Sequence, residues 1–313
     1  MATKKRKPRP TKKTSNQSIG KVAESVRNGL FQPKTLMLVA TLVCSTFFFP
    51  LISKFMPDLN QRSEYRLKTA EIKIKNLPRW VPPNFLEQIL DRAGLPEEVS
   101  VLDDGLTRQV VDAFQLDPWV ADVVKVQIKS MPAELEMTLQ YRWPVAMVAV
   151  KQGMYPIDAE GVLLPPAYFS VADTKRFLVI HNVRSTPQGP EGTQWGDDAL
   201  TGAANIAEAL ADHWKNLGIV EIHVPQIKSA DVEIEDLIYE MVTVGGSKII
   251  WGRAPGSDHP GELQTAQKLG RLEKYREEFG SFDEPNGPYE IDIRHWQEIS
   301  RRPLTAGRGR NLR

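Results

Sequence analysis

The run Thr35–Ser53, TLMLVATLVCSTFFFPLIS, constrains this chain more than any other stretch. It holds nineteen residues without a charge, bounded by Lys34 and Lys54. As a helix rising about 1.5 Å per residue it reaches roughly 28 Å, close to the hydrocarbon thickness of a bilayer. The expectation is a single transmembrane helix over 34–54. The run exceeds the roughly 7–15 residues of a signal-peptide core, and Phe47, Phe48 and Phe49 stand where a cleavage site needs small residues. An uncleaved anchor is the better reading.

Charge divides at the same place. Residues 1–34 carry ten Lys/Arg against Glu24 alone; from residue 55 onward 29 Lys/Arg face 38 Asp/Glu. The positive-inside rule then sets the N-terminus in the cytoplasm and the bulk of the chain across the membrane. Residues 1–33 read as a disordered basic tail. No aromatic precedes Phe31, so a base-stacking platform for nucleic acid is absent from it. Cys44 is the sole cysteine, which excludes an intrachain disulfide and a cysteine-based zinc site.

Residues 55–68 are polar and aperiodic, and read as a linker. Glu71–Lys75 alternates at period two, a strand with Ile72 and Ile74 inward. Pro82 and Pro83 suit a first helical turn, Phe85, Leu86, Ile89 and Leu90 repeat at helical spacing, and Gly94 stops the helix. A second helix, capped by Asp103 or Asp104, carries Leu106, Val110 and Phe114. Val120–Lys129 and Ala133–Tyr141 then fit one hairpin register. Ile128 meets Leu135, Val126 meets Met137 and Val124 meets Leu139, while Lys129 faces Glu134 and Gln127 faces Glu136.

Strand, helix, helix, strand, strand is the order of a POTRA domain. Asp117-Pro118-Trp119-Val120, then Pro132-Ala133-Glu134-Leu135, then Arg142-Trp143-Pro144-Val145-Ala146 resembles the POTRA domain of the FtsQ/DivIB cell-division family. Residues 69–141 are assigned to it. Residues 142–300 resemble the β domain of the same family. Ala146–Lys151 and Met154–Ile157 form a hairpin, and Asp158-Ala159-Glu160-Gly161-Val162 is similar to the family's acidic turn, with Gly161 at positive φ. Phe177–His181 is a buried strand and 186–196 a loop. Asp197 or Asp198 caps a helix carrying Leu200, Ala203, Ala207, Leu210 and Trp214 on one face. Extended segments follow at Ile219–Val224, Leu237–Val244 and Lys248–Trp251. Glu262–Phe279 reads as a helix with Leu263, Ala266, Leu269, Leu272 and Tyr275 inward, and Tyr289–Trp296 as a strand with Ile291 and Ile293 inward. Residues 301–313 read as a disordered tail. After Arg294 the chain departs from the family pattern, with His295 in place of an aromatic and no following glycine. The fold class expected is α+β: the transmembrane helix, the POTRA domain, then a mostly antiparallel β domain with two helices.

A search for chemistry finds little. The histidines are His181, His213, His223, His259 and His295, none in metalloprotease spacing. Gly245-Gly246 precedes a strand, so it is a turn and not a phosphate loop. No nucleophile elbow is present. No catalytic, cofactor or metal residue is singled out. The competing class, an anchored extracytoplasmic enzyme of the cell-wall hydrolase kind, would need a cluster around Asp258-His259 and another acid. An outer-membrane assembly role would need a C-terminal barrel, for which too little chain remains.

The resemblance implies a non-enzymatic division-site scaffold in the inner membrane, with the bulk of the chain periplasmic. Its implied partners are divisome membrane proteins of the FtsB/FtsL type, with the lipid bilayer engaged through one span. The expected mechanism is β-augmentation, a partner segment adding to an edge strand. The expected edge is Tyr289–Ile299, with Tyr289, Ile291, Ile293, Arg294, Trp296 and Ile299 as partner-binding candidates.

Overall fold

The computed structural model describes residues 33–55, 59–226, 233–257 and 259–304. The basic tail up to residue 32, residues 56–58, 227–232, Asp258 and 305–313 lie outside these. The chain divides into two compact units, residues 1–59 and 60–313, and it is mixed α+β.

In the first unit the apolar run forms α1, Pro33–Phe55. Thr41 Oγ1 donates to the Leu38 carbonyl at 2.8 Å and Thr46 Oγ1 to Val43 at 2.9 Å, so hydroxyls within the run bond back onto their own helix. Among the described residues, no helix is long and apolar enough to cross a membrane. This corrects the expected transmembrane helix: the described part of α1 includes the flanking Lys34 and the hydroxyl side chains of Thr41, Ser45 and Thr46, which shortens its apolar length.

The second unit holds two hydrophobic cores. Around the first lie β1 (Arg66–Lys68), β2 (Lys73–Lys75), α2 (Phe85–Ala93), β3 (Glu98–Ser100), α3 (Leu106–Gln115), β4 (Val120–Ser130) and β5 (Ala133–Tyr141). Strand β1 falls inside the stretch expected to be linker and pairs antiparallel with β3. Strands β2, β5 and β4 form a three-stranded sheet, with β2 parallel to β5. Helix α2 buries Phe85 and Ile89 and ends at Gly94, whose φ of 61° only glycine adopts readily. Helix α3 buries Leu106, Val110, Ala113 and Phe114. Gly105, not the expected Asp103 or Asp104, takes the N-cap place; Asp103, three residues before the helix, accepts from Gly105 N at 2.9 Å.

The β4–β5 register pairs Ile128 with Leu135, Val126 with Met137, Gln127 with Glu136 and Lys129 with Glu134. It slips beyond Lys125, so Leu139 pairs with Val123 and Val124 is thrown out to 60% exposure. A bulge on one strand does this by setting two residues against one. Glu134 accepts from Lys73 and Lys129 on the outer face, and the Lys73 bond first of all pulls its carboxyl down to about 2.

Around the second core lie β6 (Ala146–Val150), β7 (Gly153–Ile157), α4 (Val171–Thr174), β8 (Leu178–His181), α5 (Asp198–Ala209), α6 (Trp214–Leu217), β9 (Ile219–His223), β10 (Tyr239–Thr243), β11 (Lys248–Gly252), α7 (Thr265–Phe279), β12 (Tyr289–Asp292) and β13 (Ser300–Pro303). One eight-stranded sheet runs in the order β13-β12-β11-β10-β9-β8-β6-β7. The pairs β6–β8, β8–β9 and β11–β12 are parallel, so the sheet is mixed. Parallel neighbours need a crossover; α5 serves β8 to β9 and α7 serves β11 to β12. Asp197 caps α5 by accepting from Ala199 N and Leu200 N. Gly161 has φ of 73°, and a Cβ there would meet Thr201 Oγ1 at 2.7 Å, so the turn that precedes this packing requires glycine.

Two of the segments that carry the family resemblance, 117–120 and 142–146, meet through the Arg142 N–H, which donates to the Trp119 carbonyl at 2.9 Å, while 132–135 sits at the far turn of the β4–β5 hairpin. Asp117 accepts from Trp119 N at 3.0 Å and pairs with Arg92, holding Trp119 in the core. Arg142 Nη1 donates to Asp158 at 2.6 Å and to Glu160 at 2.9 Å, while Asp158 also caps the turn through Val162 N. Burial pushes the Asp158 carboxyl above its usual range, despite the Val162 N–H and Arg142. These residues lock fold elements together.

Candidate functional site

Strand β13 ends the eight-stranded sheet. It pairs antiparallel with β12: Tyr289 with Pro303, Glu290 with Arg302, Ile291 with Arg301 and Asp292 with Ser300. Among the described residues no strand pairs with its outer side. The expected edge, Tyr289–Ile299, is therefore covered, and the free edge lies one strand later, in residues expected to be tail. The Ser300–Pro303 segment has no apolar alternation to announce a strand. Its neighbours supply the apolar surface instead. The Arg301 guanidinium lies over the rings of Phe279 and Tyr289, 5.0 and 4.8 Å from their centroids, and donates to the Tyr275 hydroxyl at 3.2 Å. That bond raises the Arg301 pKa further above its usual value. Arg302 pairs with Glu290 at 3.1 Å.

A groove of about 570 Å³ runs between this edge and α7. Helix α7 contributes Arg271, Lys274, Tyr275, Glu278 and Phe279; the connection to β13 contributes Gln297, Glu298 and Ile299. Arg271 is tied to the Trp296 carbonyl at 3.2 Å, and Trp296 Nε1 donates to Gly261 O at 3.0 Å. These bonds hold the Trp296 ring, 63% exposed, in place. An exposed strand edge beside a groove with apolar, cationic and acidic walls can take an extended chain, with backbone bonds on one side and side chains in the groove.

The six candidate residues separate into two groups. Tyr289, Ile291 and Ile293 are buried in the second core, so they hold up the edge without facing a partner. Arg294 makes two bonds to Asp292, 2.9 and 2.7 Å, and is spent within the chain. Burial raises the Asp292 carboxyl, but those bonds outweigh it and leave it below the usual range. Trp296 remains at the surface, and Ile299, half-buried against the second core, lines the groove. Arg271, Lys274, Phe279 and Arg301 escaped the sequence reading. The signal available for them was the outward face of the Glu262–Phe279 helical pattern together with the Arg301-Arg302 pair.

The region raised as an enzyme alternative looks different. His259 Nε2 stands 3.9 Å from Asp236, which already pairs with Arg253 at 2.8 Å. Beneath them Lys268, 2% exposed, bonds Glu262 at 2.5 Å and the Arg253 carbonyl at 3.2 Å. Burial lowers the Lys268 pKa against the pull of Glu262. Its ammonium also sits 4.8 Å from the Trp251 ring centroid. The expected α7 stripe placed Ala266 inward; Ala266 is exposed and Lys268 takes the inward place, because Glu262 reaches it. Among the described residues, no group of three or more His, Cys, Asp or Glu could hold a metal ion.

Comparison with known proteins ends quickly. No family model and no curated protein matches this chain.

Proposed function

We propose that this chain is a non-enzymatic scaffold of the FtsQ/DivIB type, acting at the division site by protein–protein contact. The observation that carries the proposal is the unpaired outer edge of β13 beside the α7 groove. Its partners in this reading are divisome membrane proteins of the FtsB/FtsL type, each offering an extended segment that adds to the sheet. The 66–141 region, with its POTRA-like order, supplies a separate recruiting surface. The location in this reading is the inner membrane, with residues 60–304 on the extracytoplasmic side. That location rests on the family resemblance and on the opposite charge balance of residues 1–34 and 55–313, not on a helix of the described residues.

Photo-crosslinking amino acids placed singly at Ile299, Ser300 and Arg302, with Lys125 and Gln127 as comparison sites, test the proposal in cells. The expected product is a small membrane protein trapped from the first set. A product from the second set alone would overturn augmentation at β13.

A further inference from the structure

A second cleft, of about 460 Å³, opens where the two cores meet, and it shares no residue with the β13 groove. Its volume falls in the range of about 300–1,000 Å³ typical of binding sites. Aromatic rings form its wall. Trp119 packs edge-on to Tyr168 at 6.0 Å and stacks with Phe169 at 6.3 Å, and Phe169 meets Phe177 at 6.0 Å. Two rings stay open to solvent, Trp80 at 46% and Tyr168 at 45% exposure. Both are already fixed. Trp80 Nε1 donates to the Arg142 carbonyl at 3.0 Å, and the Tyr168 hydroxyl exchanges hydrogen bonds with the Gln88 amide at 2.9 and 3.1 Å. Rings held this way lose little freedom when a ligand arrives.

The rim is cationic. Arg79, Arg176 and Lys215 line the cleft against one acid, Asp173, which pairs with Arg176 at 3.2 Å. Arg79 is exposed and has no carboxylate partner among the described residues. Lys215 lies over Trp214, 5.1 Å from the ring centroid, and likewise has none. Exposed, immobilised aromatic rings framed by cations without carboxylates match two known recognition modes at once: aromatic grooves for polyproline II segments, and basic side chains for acidic motifs. The two terminal segments outside the described residues do not complement this rim. Residues 1–32 hold nine Lys/Arg and one Glu, and residues 305–313 hold three Arg and no acid.

We propose that this cleft binds an extended acidic peptide segment of a partner protein, its prolines resting on Trp80 and Tyr168 and its carboxylates meeting Arg79 and Lys215. This site is separate from the β13 edge and stands whether or not that edge recruits a partner.

The test uses the purified full chain and a fluorescent peptide of alternating Glu and Pro, followed by anisotropy. Peptides alternating Lys with Pro and Glu with Gly serve as controls, and an acidic oligosaccharide as a competitor. The Glu–Pro peptide should bind, and its affinity should fall about 5- to 10-fold with Arg79→Glu or Lys215→Glu. Raised salt should weaken it. The Glu–Gly peptide should bind several-fold less tightly. Both substituted side chains are exposed, so circular dichroism should be unchanged; Arg79→Gln and Lys215→Gln, expected to weaken binding less, replace any reversal that fails to fold. Absence of binding at millimolar peptide, equal binding of the Lys–Pro peptide, indifference to the substitutions at both sites, or preference for the saccharide would each overturn the proposal.

Discussion

Removing Arg301 should free the sheet edge without unfolding the sheet. Arg301 holds β13 through two ring contacts and one hydrogen bond, to Phe279, Tyr289 and Tyr275. At about 0.5–1 kcal/mol for each exposed cation–π contact and about 1 kcal/mol for the hydrogen bond, Arg301→Ala removes about 2–3 kcal/mol. The loss falls on local opening, because β13 is short and its Ser300, Arg301, Arg302 and Pro303 are not buried. At about 1.4 kcal/mol per factor of ten, the opening equilibrium shifts by about 30- to 150-fold. Amide hydrogen exchange read by mass spectrometry should show residues 299–304 exchanging faster by that factor, while β10 and β11 stay protected and the thermal midpoint hardly moves. Arg301→Lys, which keeps the charge but loses the planar fork, should fall between the two. Unchanged exchange at 299–304 would refute the tether. A fall in global stability matching the local loss would show that β13 belongs to the cooperative core and is not a separable edge.

The Arg142–Asp158 pair joins the two cores, and Asp158→Ala leaves Arg142 with Glu160 alone; chemical denaturation should register a loss of about 2–4 kcal/mol. Lys268→Ala should cost about 3–5 kcal/mol by stranding Glu262, whereas the double replacement Lys268→Met with Glu262→Gln should recover most of it. Glu134 is held near 2 by Lys73 and Lys129, below its ordinary 4.5. A depressed carboxylate contributes stability above its unfolded pKa and loses it as pH falls toward the folded one. The stability difference between the native chain and Glu134→Gln should therefore shrink from pH 5 to pH 2 in urea titrations. Asp197→Ala, removing the α5 cap, should lower stability by about 1 kcal/mol in the same assay.

What the sequence discloses follows from where its signals are local. The β4–β5 register is legible because one pairing satisfies both faces, and it holds from Lys129 to Val126. It fails at Val124, because a bulge leaves the alternation of residue types intact while shifting the pairing by one. Gly94, Gly161 and Asp197 are legible because a left-handed turn or a cap demands their residue type. Strand β13 is hidden for the opposite reason. Ser300-Arg301-Arg302-Pro303 has no apolar residue before the proline, and its place depends on Phe279, Tyr275 and Tyr289, which lie 12–26 residues from Arg301 along the chain. Lys268 is hidden likewise, since its burial depends on Glu262 and Trp251. Strands β1 and β3, three residues each, are too short for a period to show. At the candidate site, Trp296 and Ile299 stand out in the sequence as residues next to the last strand, and both lie beside β13. The edge itself is not legible, because only the strand order shows that β13 covers β12.

The most direct measurement of the central claim is amide exchange across the full chain, alone and with the small membrane protein proposed as its partner. The account predicts slowed exchange at residues 299–303 and along the groove face of α7, with residues 66–141 unaffected by that contact. Slowing confined to residues 66–141, with β13 exchanging as in the free chain, would contradict it.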